Sequence, residues 1–137
     1  MARAVQENFV HDNVSVVVWT DGVFRASQYA VESLIHQLDA SDFAVAIAQP
    51  DDLVKSRGEE KPVPRDNVLF ELGLFIGRLG RHRAFLLEPL REGIKLPSDL
   101  SGIAAIPYRP GVGAEVLAGV APACNQLRRY FEELGPK

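Results

Sequence analysis

The sequence has little cysteine, no long apolar run and no dense cluster of basic residues. Its one cysteine, Cys124, excludes an intramolecular disulfide and fits a reducing cytoplasm, which is the location we expect. No apolar stretch approaches the roughly 20 residues of a membrane span, and no signal peptide is visible. The formal net charge is -3 and the basic residues are scattered except around Arg78 to Arg83, so the chain lacks the basic footprint of a nucleic-acid-binding protein. We therefore expect neither a membrane nor a nucleic acid among its partners.

The chain has the size and composition of one globular unit. Its 137 residues are enough for a real core and too few for two domains, so residues 1–137 are predicted to form a single domain. Three histidines, His11, His36 and His82, lie far apart and show no ligand spacing. No metal site is therefore predicted.

Strand-like and helix-like segments alternate along the chain. Helices are predicted at residues 2–10, 27–38 and 65–80, and in a last helix with Val120, Leu127, Phe131 and Leu134 on one side. Strands are predicted at residues 14–19, 43–48, 84–87 and 104–108, with a polar loop at residues 53–64. The last strand is expected at a sheet edge, because Pro107 lacks a ladder donor. This alternation is typical of a doubly wound α/β fold, which binds ligands beyond the carboxyl ends of its parallel strands.

The helix predicted at residues 65–80 is almost entirely apolar. Asp66 is a good N-cap and Gly80 a good C-terminal stop, and Glu71 is the only acid between them. Gly73 and Gly77 lie four residues apart on one face, so we expect another backbone to approach the helix there.

Two interpretations of Glu71 follow from the residues alone. In the first, the carboxylate lies on a narrow solvent-exposed strip of the helix and is screened by Arg78. In the second, it points into a cleft, where partly apolar surroundings strengthen its field on a bound ligand.

The run PRDNVLFELGLFIGRLGRHRAFLL resembles the signature of the TIR-like family of bacterial anti-phage defence effectors, including those fused to STING or to cyclic-nucleotide sensor domains. The resemblance extends through VVVWTDGVF, SLIHQLDASDFAVAIAQPDD and KLPSDLSGI, so it covers most of the chain. It implies a flavodoxin-like fold and a domain that cleaves the bond between nicotinamide and ribose in NAD. The glutamate of the FELG segment, Glu71, is then the catalytic carboxylate, NAD is the substrate, and no separate cofactor is needed.

The resemblance also implies partners and a missing element. Activity is expected to be switched on by assembly into a homo-oligomer or filament, under a cyclic nucleotide signal read by a sensor domain or protein. Family members begin with a strand at the centre of the sheet, whereas this sequence begins at the helix that follows it. We therefore expect four strands instead of five. Residues 14–19 and 43–48 would face each other across a gap, pair directly or accept another strand.

Four further residues are candidates for binding NAD. Trp19 and Phe24 are expected to stack on nicotinamide or adenine, with a place in the core as the alternative. Arg65 and Asn67, at the start of the central helix, are expected to hold phosphate or ribose. The alternative for this pair is a surface ion pair for Arg65 and help in capping the helix for Asn67.

Three functions fit these features. The first is NAD cleavage with Glu71 stabilising the positive charge that develops on the ribose. The second is a TIR-like module without catalytic activity that acts by self-association. The third is nucleoside deoxyribosyl transfer, which also places a glutamate at a glycosidic bond.

Overall fold

A computed structural model describes residues 1–19, 30–50, 53–54, 63–64, 66–90, 96, 100 and 102–137. Its helices are α1 (Ala2–Asn8), α2 (Ala30–Asp39), α3 (Asp66–Leu79) and α4 (Glu115–Leu134), with a 3₁₀ turn at Arg81–Arg83. Its strands are β1 (Ala44–Ile47), β2 (Leu53–Val54), β3 (Val63–Pro64), β4 (Ala84–Pro89) and β5 (Ala104–Tyr108). None of the helices formed by these residues combines the length and the apolar composition of a membrane span.

The main sheet has the strand order β1-β4-β5, and both pairings are parallel. Ile47 lies opposite Leu87, and Leu87 lies opposite Ile106. The predicted α/β class and the edge position of β5 are thereby confirmed, and Pro107 of that strand is exposed.

Two apolar cores cover the two faces of this sheet. Leu86 of β4 packs with Leu34 of α2 and Leu72 of α3 in what we call the α2–α3 core. Its neighbour Phe85 points to the other face, which packs with residues of α1 and α4 such as Leu127 in the α1–α4 core. Successive residues of a strand alternate between faces, so one strand serves both cores. This is the doubly wound arrangement expected from the sequence.

The strand predicted at residues 14–19 is wrong, because these residues belong to neither sheet. Val14 and Val16 are partly buried against the α1–α4 core, and the side-chain amide of Gln6 donates to the Val16 carbonyl at 2.9 Å. β-branched residues favour a strand, but a strand also needs a neighbour for its backbone. The main sheet therefore has three strands in the described part of the chain, not four.

Two smaller predictions also need correction. The ends of the predicted loop 53–64 pair as the short antiparallel strands β2 and β3. Gly73 and Gly77 are exposed, and a Cβ added at either would meet no atom within 4 Å. No backbone approaches α3 at these glycines within the described structure, because the helix turns its opposite side to the sheet.

Candidate functional site

The candidate site lies where the carboxyl ends of β1 and β4 meet the start of α3. Since β1 and β4 are parallel neighbours, the chain leaves β1 at the carboxyl ends of the strands and must return to their amino ends before β4 begins. Helix α3 makes this return on the α2–α3 face, so its N-terminal turns lie near the carboxyl ends of both strands. We use the name carboxyl rim for the region formed by the ends of β1 and β4 and the first turns of α3, from Asp66 onward. It is where doubly wound folds bind their ligands.

Glu71 lies at the border of the buried face of α3. Val68, Leu72 and Phe75 are buried against the α2–α3 core at helical spacing, and Glu71 falls beside them in partial burial. Glu71 also takes part in an interaction with its surroundings. The residue lies five positions after the first residue of a helix whose start lies at the carboxyl rim.

The other predicted residues are only partly brought together. Asn67 is exposed, one turn before Glu71 and on the same side of α3. Trp19 is partly buried against the α2–α3 core, so it lies on the same face of the sheet as α3, and its ring helps to form this core. Phe24 and Arg65 lie outside the described residues.

Arg78, proposed as a screen for Glu71, is paired with Asp39 of α2. Its Nε and Nη2 atoms donate to the two carboxylate oxygens at 3.0 and 2.6 Å. The hydrogen bond from Arg78 is the main reason that the pKa of Asp39 lies below its usual value. The pair joins the C-terminal turns of α2 and α3. This contact gives Arg78 a structural role at the end of α3 far from its N-terminal turns.

At the carboxyl rim, Tyr108 makes a hydrogen bond between strands that was not predicted from the sequence. Its buried hydroxyl donates to the carbonyl oxygen of Ala48 at 2.8 Å, reaching from β5 across β4 at the level of Pro89, which lies opposite Tyr108 in the register. The Ala48 amide already donates to Leu87 at 2.9 Å, and the next donor along β4 would be residue 89. That residue is Pro89, which has no N–H. The Tyr108 hydroxyl therefore supplies the missing donor.

Glu88 is a second carboxylate at the carboxyl rim that the sequence analysis missed. It is the penultimate residue of β4 and is partly buried. Burial raises the pKa of the Glu88 carboxyl above its usual value. The signal in the sequence was an acid directly after the apolar run Ala84 to Leu87, but the strand predicted at residues 84–87 ended two residues before the observed end of β4.

Two cavities in the described part of the molecule lie away from Glu71. One of about 320 Å³ lies between α1 and residues 14–16, and one of about 190 Å³ lies between Arg81 and α4 near the amino ends of the strands. Both are shallow and lack a group of convergent carboxylates. The candidate site is therefore argued from α3 and the strand ends, and not from these cavities. No group of three metal-ligating side chains occurs among the described residues.

Comparison with known proteins decides the family. A family model described as the TIR domain of the CAP12/Pycsar effector protein matches residues 1–110. This chain belongs to that family of TIR domains. The resemblance found in the sequence is confirmed, and the sheet with helices on both faces is consistent with a flavodoxin-like TIR domain.

Individual relatives of this TIR domain are longer proteins. Pycsar effector protein PaPycTIR of Pseudomonas aeruginosa is 59% identical over 138 residues, covering 100% of this chain and 45% of that protein. BcPycTIR of Burkholderia cepacia is 48% identical, with coverage of 98% and 45%. CD-NTase-associated protein 12 of Flavobacterium daejeonense is 35% identical, with coverage of 88% and 37%. The chain thus spans less than half the length of each of these relatives.

Proposed function

We propose that this TIR domain is an NAD glycohydrolase of anti-phage defence, with Glu71 as its catalytic carboxylate. The observation that carries the proposal is the position of Glu71, a partly buried acid about one turn into the helix that starts at the carboxyl rim. Membership in the family of CAP12/Pycsar effectors supports the defence role. Asn67, one turn earlier on the same side, is then available to a ribose or phosphate oxygen.

One carboxylate is enough for the chemistry that we propose. Nicotinamide is bound to the ribose through a cationic ring nitrogen and leaves as a neutral molecule, so no acid has to protonate it. Glycosidases, by contrast, need one carboxylic acid for the leaving group. Glu71 would bind the ribose hydroxyls and stabilise the positive charge that spreads over the ring as the bond breaks. A fixed charge in partly apolar surroundings suits this role, because it acts without solvent reorganisation.

The regulation that we propose follows the names of the relatives and the original resemblance. The names Pycsar effector and CD-NTase-associated protein 12 fit a protein that answers a cyclic nucleotide signal. We place the sensing of that signal in the part of the longer relatives that this chain does not cover. Assembly of TIR domains into a homo-oligomer or filament is the proposed route from signal to activity.

The experiment that tests this function is NAD turnover at high protein concentration, with nicotinamide, ADP-ribose and cyclic products resolved by chromatography. We expect release of nicotinamide in step with ADP-ribose or its cyclic form. Nucleoside base exchange without NAD cleavage would instead identify the deoxyribosyltransferase alternative. Concentration-dependent assembly without turnover of either substrate would identify the module that acts by self-association.

A further inference from the structure

Glu88 lies on the same face of the sheet as α3. In β4, Ala84 and Leu86 belong to the α2–α3 core, whereas Phe85 and Leu87 belong to the α1–α4 core. Side chains two residues apart on a strand point to the same face. Glu88 therefore follows Leu86 on the α2–α3 face, one step closer to the carboxyl rim.

The helix above this face carries Glu71. Leu72 and Val68 of α3 pack in the same core as Leu86. Because α3 runs antiparallel to β4, moving from Leu86 toward Glu88 on the strand corresponds to moving toward the start of the helix. Glu71 and Glu88 thus approach the carboxyl rim from its two sides, one from the helix and one from the central strand of the sheet.

The neighbours of Glu88 on the two adjacent strands are small or exposed. On the same face, the neighbouring strand β1 contributes the small side chain of Ala46, and Ala48 follows directly beyond the strand. On the other side, Pro107 lies opposite Glu88 in the register and is exposed. No hydrogen bond or ion pair joins the Glu88 carboxylate to any of the residues that the structure describes.

A partly buried carboxylate without such a partner lowers the stability of the fold, so its presence calls for another explanation. Burial costs the charged form part of its hydration, and this is the reason that the pKa of Glu88 is raised. A raised pKa also makes a carboxylate a stronger base at neutral pH. Such groups are concentrated at functional sites.

We infer that Glu88 is a second catalytic residue of this site, and that it accepts a proton from the water that attacks the ribose. The inference rests on the proposed NAD cleavage and names the residue for its second step. In the first step the bond between C1′ and the nicotinamide nitrogen breaks, and its electron pair leaves with neutral nicotinamide. In the second step the water oxygen forms a bond to C1′, its proton passes to the Glu88 carboxylate, and ADP-ribose remains. Glu88 then releases the proton to solvent.

The decisive variant is Glu88→Gln, measured in two reactions of the same site. Hydrolysis needs a base because water must lose a proton, whereas exchange of nicotinamide for an added pyridine base does not, because the pyridine nitrogen carries no proton. We expect hydrolysis to fall about a hundredfold, the lower range for general base catalysis, while base exchange stays within about twofold of the wild type. An equal fall in both reactions would overturn the inference, since it would indicate a structural role. Glu132→Gln, an exposed glutamate on α4, is the matched control and should leave both rates unchanged.

A second measurement tests the shared location without any turnover. The pKa of the Glu88 carboxyl is followed by carbon-detected NMR in the wild type and in Glu71→Gln. Two nearby carboxylates raise each other's pKa, so removing the charge of Glu71 should lower the pKa of Glu88. An unchanged pKa would place the two groups apart and overturn the inference. If the chain cleaves no NAD, the proposed function and the base role fail together, and the titration still decides whether both acids share one crevice.

Discussion

The Tyr108 hydroxyl donates to the Ala48 carbonyl at 2.8 Å in place of an amide that Pro89 lacks. The contact is buried, and it joins β5 to the residue that follows β1, across Pro89 at the end of the strand between them. It fixes the carboxyl ends of the sheet at the level where Glu88 and the start of α3 lie. The candidate site therefore lies at strand ends that a buried hydrogen bond holds together.

Removing this hydroxyl should destabilise the fold. Tyr108→Phe leaves the buried Ala48 carbonyl without its donor, and we expect a loss of about 1–3 kcal/mol in the free energy of unfolding, measured with urea. Pro89→Ala restores a backbone N–H at the position where the ladder would otherwise use one. In that background Tyr108→Phe should cost less. An equal loss of unfolding free energy in the two backgrounds would contradict the claim that the Tyr108 hydroxyl takes the place of a backbone amide.

Two glycines in helices should respond to alanine in opposite directions. A Cβ at Gly119 of α4 would clash with the carbonyl oxygen of Arg109, whose amide in turn donates to the Gly119 carbonyl at 3.0 Å. We expect Gly119→Ala to destabilise the protein by about 1–3 kcal/mol, because backbone must shift. Gly73→Ala meets open space on α3 and should stabilise it by roughly 0.5–1 kcal/mol through helix propensity. Thermal unfolding of both variants distinguishes the two effects, and a gain for Gly119→Ala would refute the close approach.

Arg128 joins α1 to α4 through several contacts. Its guanidinium lies 4.8 Å from the ring centre of Phe9, donates to Asp12 at 3.0 Å and also donates to the Asn8 carbonyl. Lysine keeps the charge but loses the planar fork, so Arg128→Lys should cost about 1–2 kcal/mol of unfolding free energy. Arg129→Lys changes the exposed neighbour and should be close to neutral. Equal effects of the two variants in urea unfolding would show that the contacts of Arg128 contribute nothing.

The pair of Asp39 and Arg78 should make stability depend on pH at the acid end. The pKa of Asp39 is lowered below its ordinary value of 3.8, chiefly by the hydrogen bond from Arg78. Its contribution is therefore present above pH 3.8 and is lost as the pH falls through the lowered pKa. We expect Asp39→Asn to be slightly less stable than the wild type at pH 7 and the difference to vanish in strong acid. Because both side chains are exposed, high salt should also reduce it. A difference that persists in acid would argue against the ion pair.

Local patterns predicted the helices well and the strand pairing less well. Helix α3 agrees with its predicted bounds to within about one residue, because its apolar content and the stop at Gly80, with φ 88°, are local properties. The same local reasoning failed for residues 14–19, where β-branched residues are present but no neighbouring strand pairs with them. Pro122 lies in the interior of α4, where its ring is exposed on the surface of the helix.

Of the candidate site, the sequence predicted Glu71, whereas Glu88 and Tyr108 were found only from the order and faces of the strands. Glu71 was found because an acid stood alone in an apolar helix within a family signature. Glu88 and Tyr108 were missed, since their meaning depends on strand order and on which face of β4 each side chain takes. The exposure of Gly73 and Gly77 could have been predicted from the sequence, because the apolar residues that form the buried side of α3 lie opposite them. The roles of Trp19 and Asn67 in binding NAD stay predictions.

The most direct test of the central claim is nicotinamide release by Glu71→Gln compared with the wild type and Glu132→Gln. The change keeps the size of the side chain and removes only its charge, and circular dichroism shows whether each variant is folded. The account predicts a loss of about a hundredfold or more for Glu71→Gln, the scale of a preorganised electrostatic group, and no loss for Glu132→Gln. Turnover by folded Glu71→Gln at the wild-type rate would contradict it.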